Sequence, residues 1–251
     1  MPSFADGGLA HLTVVSPRQQ VAQVVIRPDT NDAATLHSTF WAPGDQLHDE
    51  YGLASVHLGP DDWALDIGAH IGSVALALAM DNPGARIIAV EAVPDNVDML
   101  RLNAAAVDAS DRIHIVGEAA GADGQATATL HYGYYDLPDI PAEHAVQVRF
   151  IGNLFRDHGP RGTDITVPVV SLTALLDRFG VTEVAFTKID CEGGEWAFLA
   201  SPDVSRLRTI VGEWHDRPAS SLIALLTATH EVEILHDDGG IGMFRAERRT
   251  T

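Results

Sequence analysis

Eight residues, Leu65-Asp66-Ile67-Gly68-Ala69-His70-Ile71-Gly72, constrain this chain more than any other stretch. The apolar run Trp63 to Ile67 reads as a buried strand, Gly68 and Gly72 as a tight turn, and Val74, Leu76, Leu78 and Ala79 as the start of a helix. Glycine lets a backbone approach a ligand closely, and a helix start offers N–H groups that lack intrahelical partners. A second apolar run, Ile87 to Val90, ends in Glu91. A Rossmann unit places a carboxylate there against a ribose diol. Together these features describe a site for an adenosine-bearing cofactor.

The turn itself separates the possible cofactors. A dinucleotide fingerprint needs a second glycine where His70 stands, to make room for a pyrophosphate, and no P-loop string occurs. Asp66 would repel a phosphate, whereas it suits the cationic amino acid end and sulfonium of S-adenosylmethionine. Asp66, Gly68, His70, Gly72 and Glu91 are therefore the candidate cofactor residues. The plainer alternative is a helix-packing turn of any α/β protein.

At 251 residues, with 46% hydrophobic and 20% charged residues, the chain has the make-up of one globular domain with a substantial core. No apolar run reaches the length of a membrane span, and Met1 to Ala10 has no basic segment followed by an apolar one, so the expectation is a cytoplasmic protein with no membrane partner. The single cysteine, Cys191, excludes an internal disulfide and a cysteine-rich zinc site. Acidic residues outnumber basic ones 35 to 16, a formal net charge of -19 that opposes nucleic-acid phosphates and anionic lipid. Lys188 is the only lysine, and it falls in an expected core strand beside Asp190.

In chain order, Leu12 to Val15 and Val21 to Arg27 read as strands, and Pro28 to Asp32 as a turn in which Asp32 caps a helix. Residues 33 to 51 either cover the cofactor or pack as a helical extension, giving an N-terminal extension over 1–55 ahead of a main domain over 56–251. After the first helix come the strand Arg86 to Glu91, a helix opened by Pro94, and the strand Ile113 to Val116 running into Gly117-Glu118-Ala119-Ala120. Glu118 and Ala119 join the cofactor candidates at that edge; Glu118 either binds the adenine amino group or is a solvated loop acid. Ala126 to Tyr132 alternates as a half-exposed strand. Residues 133 to 163, rich in aromatics and arginine, read as a substrate lid between two core strands. Then follow the strand Thr166 to Val170, a helix from Ser171 to Gly180, the strand Val184 to Ile189, a helix from Trp196, the strand Arg208 to Val211, a helix from Ala219 to Thr229 and a closing hairpin. Such alternation gives a doubly wound α/β sheet, mostly parallel, with a C-terminal antiparallel hairpin.

Four strings carry a resemblance: Asp66-Ile-Gly-Ala-His-Ile-Gly72, Glu91-Ala-Val-Pro-Asp-Asn96, Val170-Ser-Leu-Thr-Ala-Leu-Leu176 and Lys188-Ile-Asp-Cys-Glu-Gly-Gly-Glu195. Over roughly residues 60 to 215 the chain resembles the FkbM-type S-adenosylmethionine-dependent methyltransferases, and the last string is the most specific. That resemblance implies the class I methyltransferase, Rossmann-like fold and methyl transfer to a hydroxyl of a small molecule, often in natural-product or sugar pathways. It implies cofactor positions at Asp66, Gly68 and Glu91. Asp32 and the Glu50-Tyr51 pair resemble acidic and aromatic positions of the family's N-terminal region, which adds Glu50 to the candidates. His70 stands where asparagine is common, and Cys191 where valine is common.

The expected reaction is O-methylation of a small hydroxylated metabolite, with the protein aligning the acceptor and removing its proton. Asp190 and Glu213 end expected parallel strands and His215 follows closely, so all three converge beyond the strands' carboxyl ends; Asp190 also counts among the cofactor candidates. Either His215 is the general base, at its ordinary pKa, or the three hold a divalent cation. The base is favoured because a magnesium site draws more carboxylates than these two. An NAD-dependent oxidoreductase and a cofactor-binding protein without catalysis are the alternatives.

Overall fold

The computed structural model describes residues 8–28, 30–40, 49–133 and 162–250. Its centre is a seven-stranded sheet of β3 (Trp63–Ile67), β4 (Arg86–Val90), β5 (Ile113–Val116), β9 (Val184–Ile189), β10 (Leu207–Trp214), β11 (His230–Asp237) and β12 (Gly242–Arg248), in the order β11-β12-β10-β9-β3-β4-β5. The five strands from β10 to β5 are parallel, and β12 runs antiparallel to both its neighbours. The doubly wound α/β sheet expected from the alternation of elements is the one observed, and this strand order with one reversed strand near its edge is the class I methyltransferase arrangement.

Side chains on a strand alternate between faces, and here the two faces bury different cores. Ala64, Ile87 and Ala89 face α2 (Ser73–Asp81) and α3 (Pro94–Ala106), whereas Leu65, Ile67, Ile88 and Val90 face α4 (Leu172–Phe179), α5 (Glu195–Leu199) and α6 (Ala219–Leu226). Helix α2 is apolar all round because it is buried all round. Its outer side packs on the N-terminal residues Val14, Val24, Leu36, Phe40 and Leu53, which belong to the same core. They come from the hairpin β1 (Ala10–Val15) and β2 (Val21–Ile26), the short helix α1 (Asp32–His37), the turn after it and the 3-10 turn Leu53–Ser55. Asn103 of α3 pins that hairpin, accepting from Val25 N at 2.7 Å and donating to Val25 O at 3.1 Å.

Local signals account for the element ends. Pro94 occupies the first turn of α3, Ser171 Oγ accepts from Ala174 N to cap α4, and Gly180 ends α4 in the left-handed region at φ 62°. Asp32 departs from expectation. It makes no cap bond; α1 follows Asn31, and the Asp32 carboxylate turns inward onto Arg27.

Of the segment expected as a lid, 133–163, residues 134–161 lie outside the described residues, but the frame is clear. β7 (Thr127–Gly133) and β8 (Gly162–Val170) are antiparallel with Gly133 opposite Gly162, and with β6 (Ala119–Ala120) they form a separate three-stranded sheet. The segment therefore leaves and returns at one point, and its flanking strands are not the core strands the sequence suggested. Among the described residues no helix is long and apolar enough to cross a membrane.

Candidate active site

Strands β3, β4 and β5 step away from the middle of the sheet in one direction, and β9 and β10 in the other. The switch point lies between β3 and β9, where ligands of open α/β sheets bind beyond the carboxyl ends. A cleft of about 710 Å³, counted to its open mouth, lies there. Gly68, His70 and Glu91 line one side and Lys188, Asp190 and Glu192 the other; Asn31, Thr35, Ser38 and Tyr51 close it from the N-terminal unit.

Gly68 has φ 79°, and a Cβ there would land on the Asp190 carbonyl, so the loops after β3 and β9 approach this closely only because residue 68 is glycine. His70 is also left-handed, at φ 51°, a conformation in which asparagine and histidine are enriched. That explains how histidine serves where asparagine is common. The His70 N–H donates to Glu91 Oε2 at 2.8 Å, and Val93 N–H donates to Glu91 Oε1 at 2.8 Å. Burial pushes the Glu91 carboxyl above its ordinary range, while these donors and Asn96 work against the shift. A second recess opens from the cleft at Gly68 and Cys191, walled by Val90, Ala92, Ala119, Ala120 and Leu130. An acceptor-only carboxylate at a cleft that opens into a shallow apolar recess suits a ribose diol followed by a flat base.

Not every sequence candidate faces this cleft. Asp66 is fully buried beneath it: alternation on β3 turns it toward α2, where it accepts from Ala75 N at 2.9 Å and lies 3.6 Å from Lys188 Nζ. It holds the glycine turn from below. Gly72 precedes α2 and packs on Leu100. Ala119 lines the recess, and Glu118, at its rim, is held by both arms of Arg178 at 2.6 and 3.1 Å. Lys188 does more than pair Asp190: its ammonium donates to Gly68 O at 2.8 Å and lies 3.9 Å from Asp190 Oδ2. Tyr51 donates to Asp190 Oδ2 at 3.2 Å.

Asp190, Glu213 and His215 do converge, with ligand-type atoms all within 4.8 Å of one another. Two further carboxylates, both in the Lys188–Glu195 string but not anticipated in this role, complete the group. Glu195, fully buried, accepts from His215 N at 2.7 Å and lies 3.1 Å from Nδ1; its other oxygen accepts from Gly193 N at 2.8 Å. Glu192, left-handed at φ 54°, reaches to 3.5 Å from His215 Nε2, and Glu213 to 3.6 Å. An acid at the start of α5 reads in sequence as a plain helix-start residue, and only the docking of α5 brings Glu195 onto His215. Glu50, a cofactor candidate from the sequence, is not among the residues lining the cleft; its charge acts on Glu213 and Tyr51.

The imidazole does not keep the ordinary pKa expected of it. Burial pulls it down, but the bond to Glu195 and the charges of Glu192, Glu195 and Asp190 outweigh burial and raise His215 to about 9. Burial, then Asp190 and Glu50, push Glu213 up to about 7.

The sheet thus has the class I methyltransferase fold, with the cleft at its switch point. The chain belongs to the FkbM methyltransferase family, matching the Methyltransferase FkbM domain over residues 66–233. It is 29% identical over 180 residues to the 31-O-demethyl-FK506 methyltransferase FkbM of Streptomyces tacrolimicus, spanning 64% of this chain and 68% of that protein. Among solved structures it is similar to a methyltransferase FkbM from Methylobacillus flagellatus KT, at 16% identity and TM-score 0.48, covering 80% of this chain and 46% of that one. It is also similar to TrmK of M. capricolum in complex with S-adenosylhomocysteine, at 7% identity and TM-score 0.48, covering 82% of this chain and 70% of that one. This chain spans about half the length of the Methylobacillus protein. Membership implies S-adenosylmethionine as methyl donor and displaces the NAD-dependent alternative.

Proposed function

We propose that the protein transfers a methyl group from S-adenosylmethionine to a hydroxyl of a small metabolite. The observation that carries this reading is that Asp190 and Glu192 line the same cleft as Glu91, a ribose-type carboxylate, and connect it to a proton-handling pair just behind them, Glu213 and His215. The cofactor, when bound, supplies an electrophilic methyl on a sulfonium centre. Glu91 accepts from the ribose hydroxyls, and the recess beside Ala119 and Leu130 takes the base. Asp190, held by Tyr51, is available to the cofactor's ammonium. Glu213, with a pKa of about 7, takes the acceptor's proton. His215, raised to about 9 and steadied by Glu195, stays cationic near neutrality and offsets the surrounding carboxylates. Base duty therefore passes from the imidazole to its neighbour. The relative that is named for 31-O-demethyl-FK506 supports an oxygen acceptor and a natural-product setting.

A second reading has a specific observation in its favour: Asp190, Glu213 and His215 bring ligand-type atoms within 4.8 Å of one another, and a further carboxylate, Glu192, reaches to 3.5 Å from His215 Nε2. A divalent cation there would lower the acceptor hydroxyl's pKa. Labelled-methyl transfer to hydroxylated metabolites, measured before and after exhaustive chelation, tests both readings. Full turnover after chelation removes the cation. Tight S-adenosylhomocysteine binding without transfer to any hydroxyl would leave a binding protein instead.

A further inference from the structure

A buried polar chain runs from Asp32 and Arg27, ahead of the family match at 66–233, through Asn96 to Glu91 within it. Arg27 closes β2 with Nε 2.9 Å from Asp32 Oδ2 and Nη2 2.7 Å from Asp32 Oδ1. The same Nη2 donates to Asn96 Oδ1 at 2.7 Å. A guanidinium has donors only, so the amide oxygen of Asn96 must be the end that faces it. The amide NH2 is thereby turned toward Glu91 Oε1, at 3.4 Å. All four side chains are buried: Asp32 is 0% exposed, Asn96 1%, Glu91 3% and Arg27 7%. In such surroundings polar contacts are screened little, and a misplaced acceptor costs more than it would in water.

We propose that Arg27 and Asn96 are positioning residues for the cofactor's ribose. The proposal rests on the reading of Glu91 as the ribose carboxylate. Glu91 already receives one backbone N–H on each oxygen, from Val93 and His70. The amide of Asn96 adds a donor from the side of α3, and Arg27 decides that it is a donor. Without Arg27 the amide is free to present its oxygen, two acceptors then face each other, and the carboxylate is driven off its seat. The strand β2 and helix α1 are thus part of the cofactor apparatus although they lie outside the matched domain. Asp32 acts one step further back, by fixing Arg27.

The test is calorimetry with two probes, S-adenosylhomocysteine and its 2′-deoxy analogue, on the wild type, Asn96→Leu and Asn96→Asp. In the wild type, losing one hydroxyl from a charge-assisted pair lowers affinity by about tenfold or more. Asn96→Leu keeps the side chain's branching and heavy-atom count and the Arg27–Asp32 pair, yet removes the donor to Glu91. It binds S-adenosylhomocysteine more weakly, and the ratio between the two probes shrinks toward unity. Asn96→Asp, which sets an oxygen against Glu91, loses more. A merely structural residue would weaken both probes equally, so an unchanged ratio in folded Asn96→Leu overturns the proposal. A wild type that does not distinguish the probes removes the ribose reading and the proposal with it. Should the Asn96 variants melt far below the wild type, Arg27→Lys is the substitute. It keeps a cation beside Asp32 but lacks the fork that reaches both partners, and the same loss of discrimination is expected.

Discussion

Lys188→Met tests how the floor of the site is held. Lys188 is 4% exposed, and its ammonium donates to Gly68 O at 2.8 Å and lies 3.6 Å from the fully buried Asp66. Methionine is unbranched like lysine and only one heavy atom shorter, so little volume is lost, but the buried carboxylate is left uncompensated. Breaking a buried pair in this way costs about 3 to 5 kcal/mol. An independent limit comes from Asp66 escaping by protonation. Its ordinary pKa is 3.8, so holding it neutral at pH 7 costs about 4 kcal/mol relative to the unfolded chain. At pH 5 the same cost falls to about 1.6 kcal/mol. The direction follows from linkage: burial already raises the carboxyl above its unfolded value, and losing Lys188, its largest opposing influence, raises it further. The folded variant then binds more protons than the unfolded chain, and stability falls as pH rises from 3.8 toward the folded value. Urea unfolding followed by circular dichroism at pH 5 and pH 7 measures both terms. In a melt at pH 7 the penalty appears as a drop of about 10 °C. A loss under about 1 kcal/mol at pH 7, or one equal at both pH values, would refute the account.

Three further outcomes follow from the site. Glu91→Ala removes a buried charged acceptor, so S-adenosylhomocysteine affinity falls by about tenfold to a hundredfold in calorimetry; unchanged affinity would take Glu91 out of the site. The rate of methyl transfer rises with pH through about 7 as Glu213 ionises and falls through about 9 as His215 loses its proton. Glu213→Gln should abolish the acidic limb, and a profile flat from pH 6 to 10 contradicts the assignment. Because Gly133 and Gly162 are paired neighbours, replacing residues 134–161 with a two-residue turn leaves cofactor affinity intact while raising the acceptor's Michaelis constant. Lost cofactor binding would show that the segment serves the cofactor.

Local signals in the chain determine much of this protein. The glycine turn after Trp63–Ile67, the carboxylate after Ile87–Val90, Ser171 before a helix and Gly180 behind it act through their immediate neighbours, so spacing along the sequence reveals them. The Asp190, Glu213 and His215 cluster was legible for a related reason: residues at the ends of parallel strands share one edge whatever separates them in the chain. Tertiary structure alone decided which of these groups face the cleft and how their surroundings tune their charge. The alternation of β3 sends Asp66 beneath the floor, not into the cleft. The pairing of β7 with β8 takes the strands flanking 134–161 out of the core sheet. The pKa of His215 depends on Glu192 and Glu195, whose approach is set by a left-handed turn and by the docking of α5, not by any pattern in the residues. Arg27 finds Asn96 only because β2 packs on α3. Contacts of that range depend on packing between elements, which no local propensity encodes.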